Sequence, residues 1–281
     1  MPNRILILGA SGFIGNTLYR ELLPYFDVFG TFNTKEGLYG QNQVFFQFNC
    51  EEDSLGSILK HVAPNFIISA IKGDAKGQLK VHEELCHYLK LNKCTLVYIS
   101  TATVFDAKRV YPSYEYDTLL AESNEGKLKI AIEKCIKKLP ENKWIIVRLP
   151  QVLGVNSPAV INLKQAIKHH ATFEVFPNLI ISTTTQNKVA QQIHYLINKN
   201  LKGIFHLASE DVIHHDELFK EIAKKISHKT PIFKNVYSSN DDRYLAILPK
   251  ENRFPKNFQI TVEQVIEEST LKDEIETLKA I

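Results

Sequence analysis

Three glycines spaced by two residues, Gly9-Ala10-Ser11-Gly12-Phe13-Ile14-Gly15, follow the apolar run at 5–8 and open a stretch of helical character. Each glycine has a separate use. Gly9 permits a tight turn, Gly12 lets the backbone approach a pyrophosphate, and Gly15 lets a helix pack closely on a strand. A helix starting here presents unpaired N–H groups and a partial positive charge, so Ser11, Phe13 and Ile14 join the glycines around a phosphate. The chemistry predicted is dinucleotide binding.

The end of the second strand selects between the two nicotinamide cofactors. An acidic residue there would bond the adenosine ribose and repel a 2′-phosphate. This chain has Gly30-Thr31-Phe32-Asn33-Thr34-Lys35, with no carboxylate before Glu36. Asn33, Lys35 and the hydroxyls suit a phosphate, which favours NADP(H) over NAD(H). Asn49 and Cys50, after the third strand, flank the adenine, and Ala70 ends the fourth strand beside the cofactor.

These residues need a frame. Apolar runs at 5–8, 28–31, 44–48, 65–70, 95–100 and 144–149 read as strands, and 16–23, 54–61, 78–91 and 123–138 as the helices between them. That rhythm predicts a parallel sheet covered on both faces, a Rossmann-type doubly wound α/β fold. After Pro150 the pattern loosens into helices at 160–169, 186–198, 215–226 and 260–268 and strands at 173–176 and 203–207. Residues 1–155, joined by 180–210, are expected to form the dinucleotide-binding domain, and 156–281 mainly a smaller C-terminal substrate lobe.

Composition excludes several classes. Among 281 residues, Lys+Arg 34 against Asp+Glu 31 leaves a net charge of +3, with no basic stripe to bind nucleic acid. No apolar run reaches the ~18 residues of a membrane span. Cys50, Cys86, Cys94 and Cys135 show no metal-ligand spacing and read as reduced thiols of a cytoplasmic protein. His169-His170 and His214-His215 have no partners at zinc-site spacing, so no metal is expected.

The glycine spacing, Ile99-Ser100-Thr101-Ala102-Thr103-Val104-Phe105, and Arg148-Leu149-Pro150-Gln151-Val152-Leu153-Gly154 together resemble the extended short-chain dehydrogenases/reductases. More narrowly, the chain is similar to the dTDP-4-dehydrorhamnose reductases, whose S-T-D-Y-V-F block falls at Ser100–Phe105. The likeness extends to Gly203-Ile204-Phe205-His206-Leu207-Ala208 and to the segment from Leu248-Pro249 to Phe258. It implies a cofactor-dependent reduction of a 4-keto nucleotide sugar, with the sugar under the smaller lobe and a homodimer as the assembly.

The family's catalytic Tyr-x-x-x-Lys begins a helix some two dozen residues after the Ser/Thr strand. The resemblance implies Lys127 as the lysine that anchors the nicotinamide ribose, and Ser123 then stands where the tyrosine belongs. Thr101 is implied to bond the substrate oxygen. The chain's Tyr195…Lys199 pair comes too late in the sequence to serve. Reducing a carbonyl needs a proton donor, and an aliphatic hydroxyl is a far poorer one than a phenol. Three readings follow: a water held by Ser123 and Lys127, a tyrosine from Tyr111, Tyr114 or Tyr116, or a cofactor-binding regulator without turnover. An epimerase or dehydratase on the same scaffold is a further alternative.

Overall fold

The computed structural model describes residues 3–34, 36–40, 42–237 and 239–271. Its chain divides into two compact units. The first comprises residues 1–105, 118–148 and 190–205, and the second comprises 106–117, 149–189 and 206–281. The two units interleave along the chain, with 190–205 returning to the first and 106–117 lying in the second.

The first unit alternates strand and helix. Its elements are β1 (Arg4–Leu8), α1 (Phe13–Leu22), β2 (Asp27–Phe32), α2 (Glu36–Tyr39), β3 (Phe45–Gln47), α3 (Gly56–Val62) and β4 (Phe66–Ser69). Then come α4 (Ala75–Leu91), β5 (Thr95–Thr101), α5 (Asn124–Ile136), β6 (Trp144–Leu149) and, late in the chain, β7 (Gly203–His206). The strands form a seven-stranded parallel sheet in the order β7-β6-β5-β4-β1-β2-β3. The order reverses at β1, with β4 on one side and β2 on the other. This is the doubly wound pattern, whose ligands bind at the carboxyl ends of the strands near the reversal.

Burial explains why these runs are strands. Ile5, Leu6, Ile7 and Leu8 are all fully buried, as a central parallel strand covered on both faces requires. One core cluster joins Leu6 and Leu8 to Leu55, which precedes α3, Leu59 of α3, Val81, Leu85 and Leu89 of α4, Tyr98 of β5 and Ile132 and Ile136 of α5.

The second unit is built of short pieces. Leu179–Ile181 pairs antiparallel with Ile213–His214 and parallel with Arg243–Leu245, while Thr172–Val175 pairs with Ile232–Asn235. Gln151–Leu153 pairs with Thr183–Thr185. Helices Pro158–His169, His215–Ile226 and Val262–Thr270 supply its apolar core.

Candidate functional site

The glycine loop joins β1 to α1, and its three glycines divide by cause. Gly9 has φ +82°, and a Cβ there would lie 2.8 Å from the Ala70 carbonyl oxygen. A Cβ on Gly15 would lie 2.8 Å from the Gly9 carbonyl carbon and 2.9 Å from the Ala10 Cα. The fold alone therefore dictates both. Gly12 is different: its φ of −81° and ψ of 172° suit any residue, and a Cβ would meet only the Gly9 oxygen at 3.3 Å. Position 12 is thus the least constrained of the three, tight against one carbonyl oxygen but free in its dihedrals, and its bare backbone leaves room for a ligand's approach. Gly12 caps α1 without a side-chain bond, and the first turn of α1 carries no acidic residue. Its end is therefore suited to an anion. These residues fit the pyrophosphate of a dinucleotide.

Around the β2–β3 edge the expected ligands sort unequally. Thr31 is buried, and its hydroxyl accepts the Gly9 N–H at 2.9 Å, so it fastens the glycine loop instead of facing a phosphate. Asn33 and Asn49 line one pocket of about 770 Å³ together with Phe46, Phe48, Asp53 and Ser57. Asn49 is braced there by its N–H bond to Asp53 Oδ2 at 2.7 Å. Lys35 lies outside the described residues. Cys50 is buried under the loop that follows β4, its thiol 3.7 Å from the Lys72 carbonyl oxygen, and burial pushes its pKa up. The Cys50 side chain packs this loop. Ala70 bonds the Leu8 carbonyl through its N–H and backs directly onto Gly9.

The second cluster lies where β5 meets α5. Thr101 ends β5, half-buried, and its Oγ1 accepts the Thr103 N–H at 3.3 Å. Ser123 is the N-cap of α5: its Oγ accepts the Gly126 N–H at 3.0 Å, which accounts for a serine at this position on helix-capping grounds. Lys127 is exposed. Ser123 is thus the cap of α5 and Lys127 a surface lysine.

The register of α5 explains why. Gly126, Ile132, Glu133 and Ile136 are its buried residues. Glu133 is fixed by Arg148, with Oε2 2.7 Å from Nη2 and Oε1 3.0 Å from Nε, and by Ser100 Oγ donating at 2.7 Å. The inward stripe therefore contains 129, one turn before 133, and leaves 127 outside. Lys129 Nζ sits 5.3 Å over the Tyr98 ring. Burial first, and then Lys72, push its ammonium below the ordinary lysine range, with Glu125 and Glu133 opposing. Under it, His82 is almost fully buried, with Nδ1 2.6 Å from the Gln78 carbonyl and Nε2 2.9 Å from Ser69 Oγ. The carbonyl can only accept, so Nδ1 carries the proton and Nε2 accepts from the serine. Burial lowers the His82 pKa to about 4.

Each remaining candidate has its own surroundings. Tyr111, Tyr114 and Tyr116 all belong to the second unit. Tyr111 and Tyr116 are exposed, and the Tyr114 ring lies under Lys250 Nζ at 5.1 Å. In Tyr195…Lys199, the lysine is exposed. All four cysteines are free, with burial pushing Cys86 and Cys94 up to about 12. Among the described residues no group of His, Cys, Asp or Glu is arranged to hold a metal ion, and no helix is long and apolar enough to cross a membrane.

Sheet order, reversal point and glycine loop define a Rossmann-type α/β protein with a dinucleotide cradle. The chain belongs to the RmlD substrate binding domain family, whose model matches residues 3–268. Solved structures share the fold. A dTDP-4-dehydrorhamnose reductase from Bacillus anthracis str. Ames, in complex with NADP, is 21% identical with a TM-score of 0.74, over 95% of this chain and 98% of that one. A hypothetical dTDP-4-dehydrorhamnose reductase from Sulfolobus tokodaii is 22% identical with a TM-score of 0.73, over 87% and 91%. A UDP-glucose 4-epimerase from Thermotoga maritima, with UDP-glucose, is 18% identical with a TM-score of 0.77, over 98% and 99%. No protein of curated function matches the chain.

Proposed function

We propose that the protein is a nicotinamide-dinucleotide-dependent oxidoreductase that reduces the keto group of a nucleotide-linked sugar. The observation that carries the reading is the glycine loop itself, with Gly12, whose dihedrals suit any residue, at an uncapped helix start beside the sheet's reversal point. Gly9 to Gly15 would hold the pyrophosphate, Ala70 and Asn33 would line its course, and Lys129 takes the place expected of Lys127 as the lysine turned toward β5. A bound reduced nicotinamide would supply the hydride. Thr101, at the carboxyl end of β5, would orient the substrate oxygen. The absence of a carboxylate from Thr31 to Thr34 favours NADP(H). Family membership and the shared fold with the reductases support the sugar-nucleotide substrate.

The test is calorimetry with NADPH and NADH, followed by NADPH consumption with dTDP-4-dehydrorhamnose. Saturable heat with tighter binding of NADPH is expected, along with turnover. No saturable heat with either nucleotide would overturn the reading. One observation favours a second reading, a dinucleotide-binding regulator: the first turn of α5 carries Glu125 and no tyrosine. Tight NADPH binding with no turnover of any keto-sugar would select it.

A further inference from the structure

The first turn of α5 is pressed onto the segment that leaves β5. Gly126 is buried there, and a Cβ on it would lie 2.7 Å from the Ala121 Cβ and collide with the Thr103 carbonyl oxygen. That contact brings Glu125, the neighbour of Gly126, to the same carboxyl end of the sheet as Thr101. An acidic residue in a first helical turn is ordinary. Glu125 is set apart by its stripe: Lys129 follows one turn later, and Glu133 follows that, riveted to Arg148 and Ser100. Of the three, Glu125 alone is exposed and open to a ligand.

We propose that Glu125 is the group that exchanges a proton with the substrate oxygen, with Lys129 as its charge partner. The assignment deepens the oxidoreductase reading of this site and rests on it. In reduction, the carboxyl O–H bond breaks and its proton joins the carbonyl oxygen, while a hydride from the reduced nicotinamide nucleotide joins the carbonyl carbon. The ketone becomes an alcohol, the nucleotide is oxidised, and water reprotonates the carboxylate. In the opposite direction the carboxylate takes the hydroxyl proton as the hydride leaves.

The charged and titratable groups facing the pair are Lys72 from the loop after β4, His82 from α4, Tyr98 from β5 and Glu133 from α5. None of them competes for the role. His82 is sealed between Ser69 and Gln78, and Tyr98 is buried, its hydroxyl held well above the usual range by burial and by Glu133 and Glu125. Carboxylic acids titrate roughly six units below phenols. A site using one reduces faster as pH falls and oxidises well near neutrality.

The experiment is an NMR titration of isotope-labelled glutamate carboxyls in the full chain, with the Glu125 signal assigned through Glu125→Gln. Adding NADP+ should lower the Glu125 titration midpoint by about one unit, since a cationic ring placed nearby favours the carboxylate. An identical midpoint with and without bound NADP+ overturns the proposal, whatever the turnover. With dTDP-4-dehydrorhamnose, Glu125→Gln should keep NADPH affinity within about threefold yet lose roughly 10²–10⁴ in rate. Glu125→Asp should recover part of that loss, and the wild-type rate should climb as pH falls. Full activity of Glu125→Gln with an unchanged pH profile also overturns it. Failure of both NADPH and NADH to bind removes the oxidoreductase reading itself, whereas binding to which Glu125 does not respond removes only this assignment.

Discussion

Gly12 and Gly15 make opposite demands although three residues separate them. At position 15 a methyl group collides with the Gly9 carbonyl and crowds the Ala10 Cα, so Gly15→Ala must move backbone. Overpacking of that kind costs about 1–3 kcal/mol. At position 12 the dihedrals are ordinary and the nearest atom is 3.3 Å away. Alanine there gains about 0.4–1 kcal/mol from a stiffer unfolded chain. It loses a comparable amount as a poorer N-cap. Urea denaturation should therefore find Gly12→Ala near wild-type stability and Gly15→Ala clearly weaker. Calorimetry should find the reverse emphasis for Gly12→Ala, a stable protein whose NADPH affinity has dropped at least about tenfold, a loss of ~1.4 kcal/mol. A Gly12→Ala protein that binds NADPH like wild type would show that nothing approaches the backbone at this point.

α5 owes its register to Glu133, a carboxylate with no exposed surface that meets Arg148, itself fully buried, and the Ser100 hydroxyl. Removing one partner of such a pair strands the other charge in the core, at about 3–5 kcal/mol. Arg148→Met should thus lower the urea midpoint sharply, while Lys127→Ala, on the exposed side, should leave it within ~0.5 kcal/mol of wild type. Equal effects from both would mean the helix is not held by this pair. The same rivet shows what the sequence made legible. The glycine loop and the alternation of the first unit are local patterns, readable from spacing alone. Spacing does not select the lysine, because Lys127 and Lys129 both fit a loosely positioned motif. Only the inward stripe through Gly126, Ile132, Glu133 and Ile136 separates them. Ser123 followed by Gly126 and a helical run is at the same time a capping signal, and Ser123 does cap the helix. Strands of three or four residues at 151–153, 179–181, 183–185, 232–235 and 243–245 went unread because their pairing is set by distant partners, not by their own short sequences.

At the scale of the whole molecule, each unit buries a neutral histidine, and acid should act on both. His82, in the first unit, and His215, in the second, are each lowered from 6.5 to about 4, chiefly by burial. His215 is packed against the rings of Phe176 and Phe219 at 5.0 and 4.8 Å. Well above pH 6.5 the imidazoles are neutral in folded and unfolded chains alike and contribute nothing to pH dependence. As pH falls below that value the unfolded chain takes up protons that the folded chain refuses until about pH 4, so stability drops across this window. For His82 alone the loss approaches about 3 kcal/mol at the lower end. Glu133, whose carboxyl is held below the usual range despite its burial by Arg148 and Ser100, loses its contribution only further into acid. The histidines therefore set the onset. Urea midpoints should fall steadily from pH 7 to pH 4.5, and His82→Asn, though less stable at neutral pH, should show a visibly shallower decline. A wild-type midpoint that stays level down to pH 5 would mean that these imidazoles are already charged in the fold, or that water reaches them.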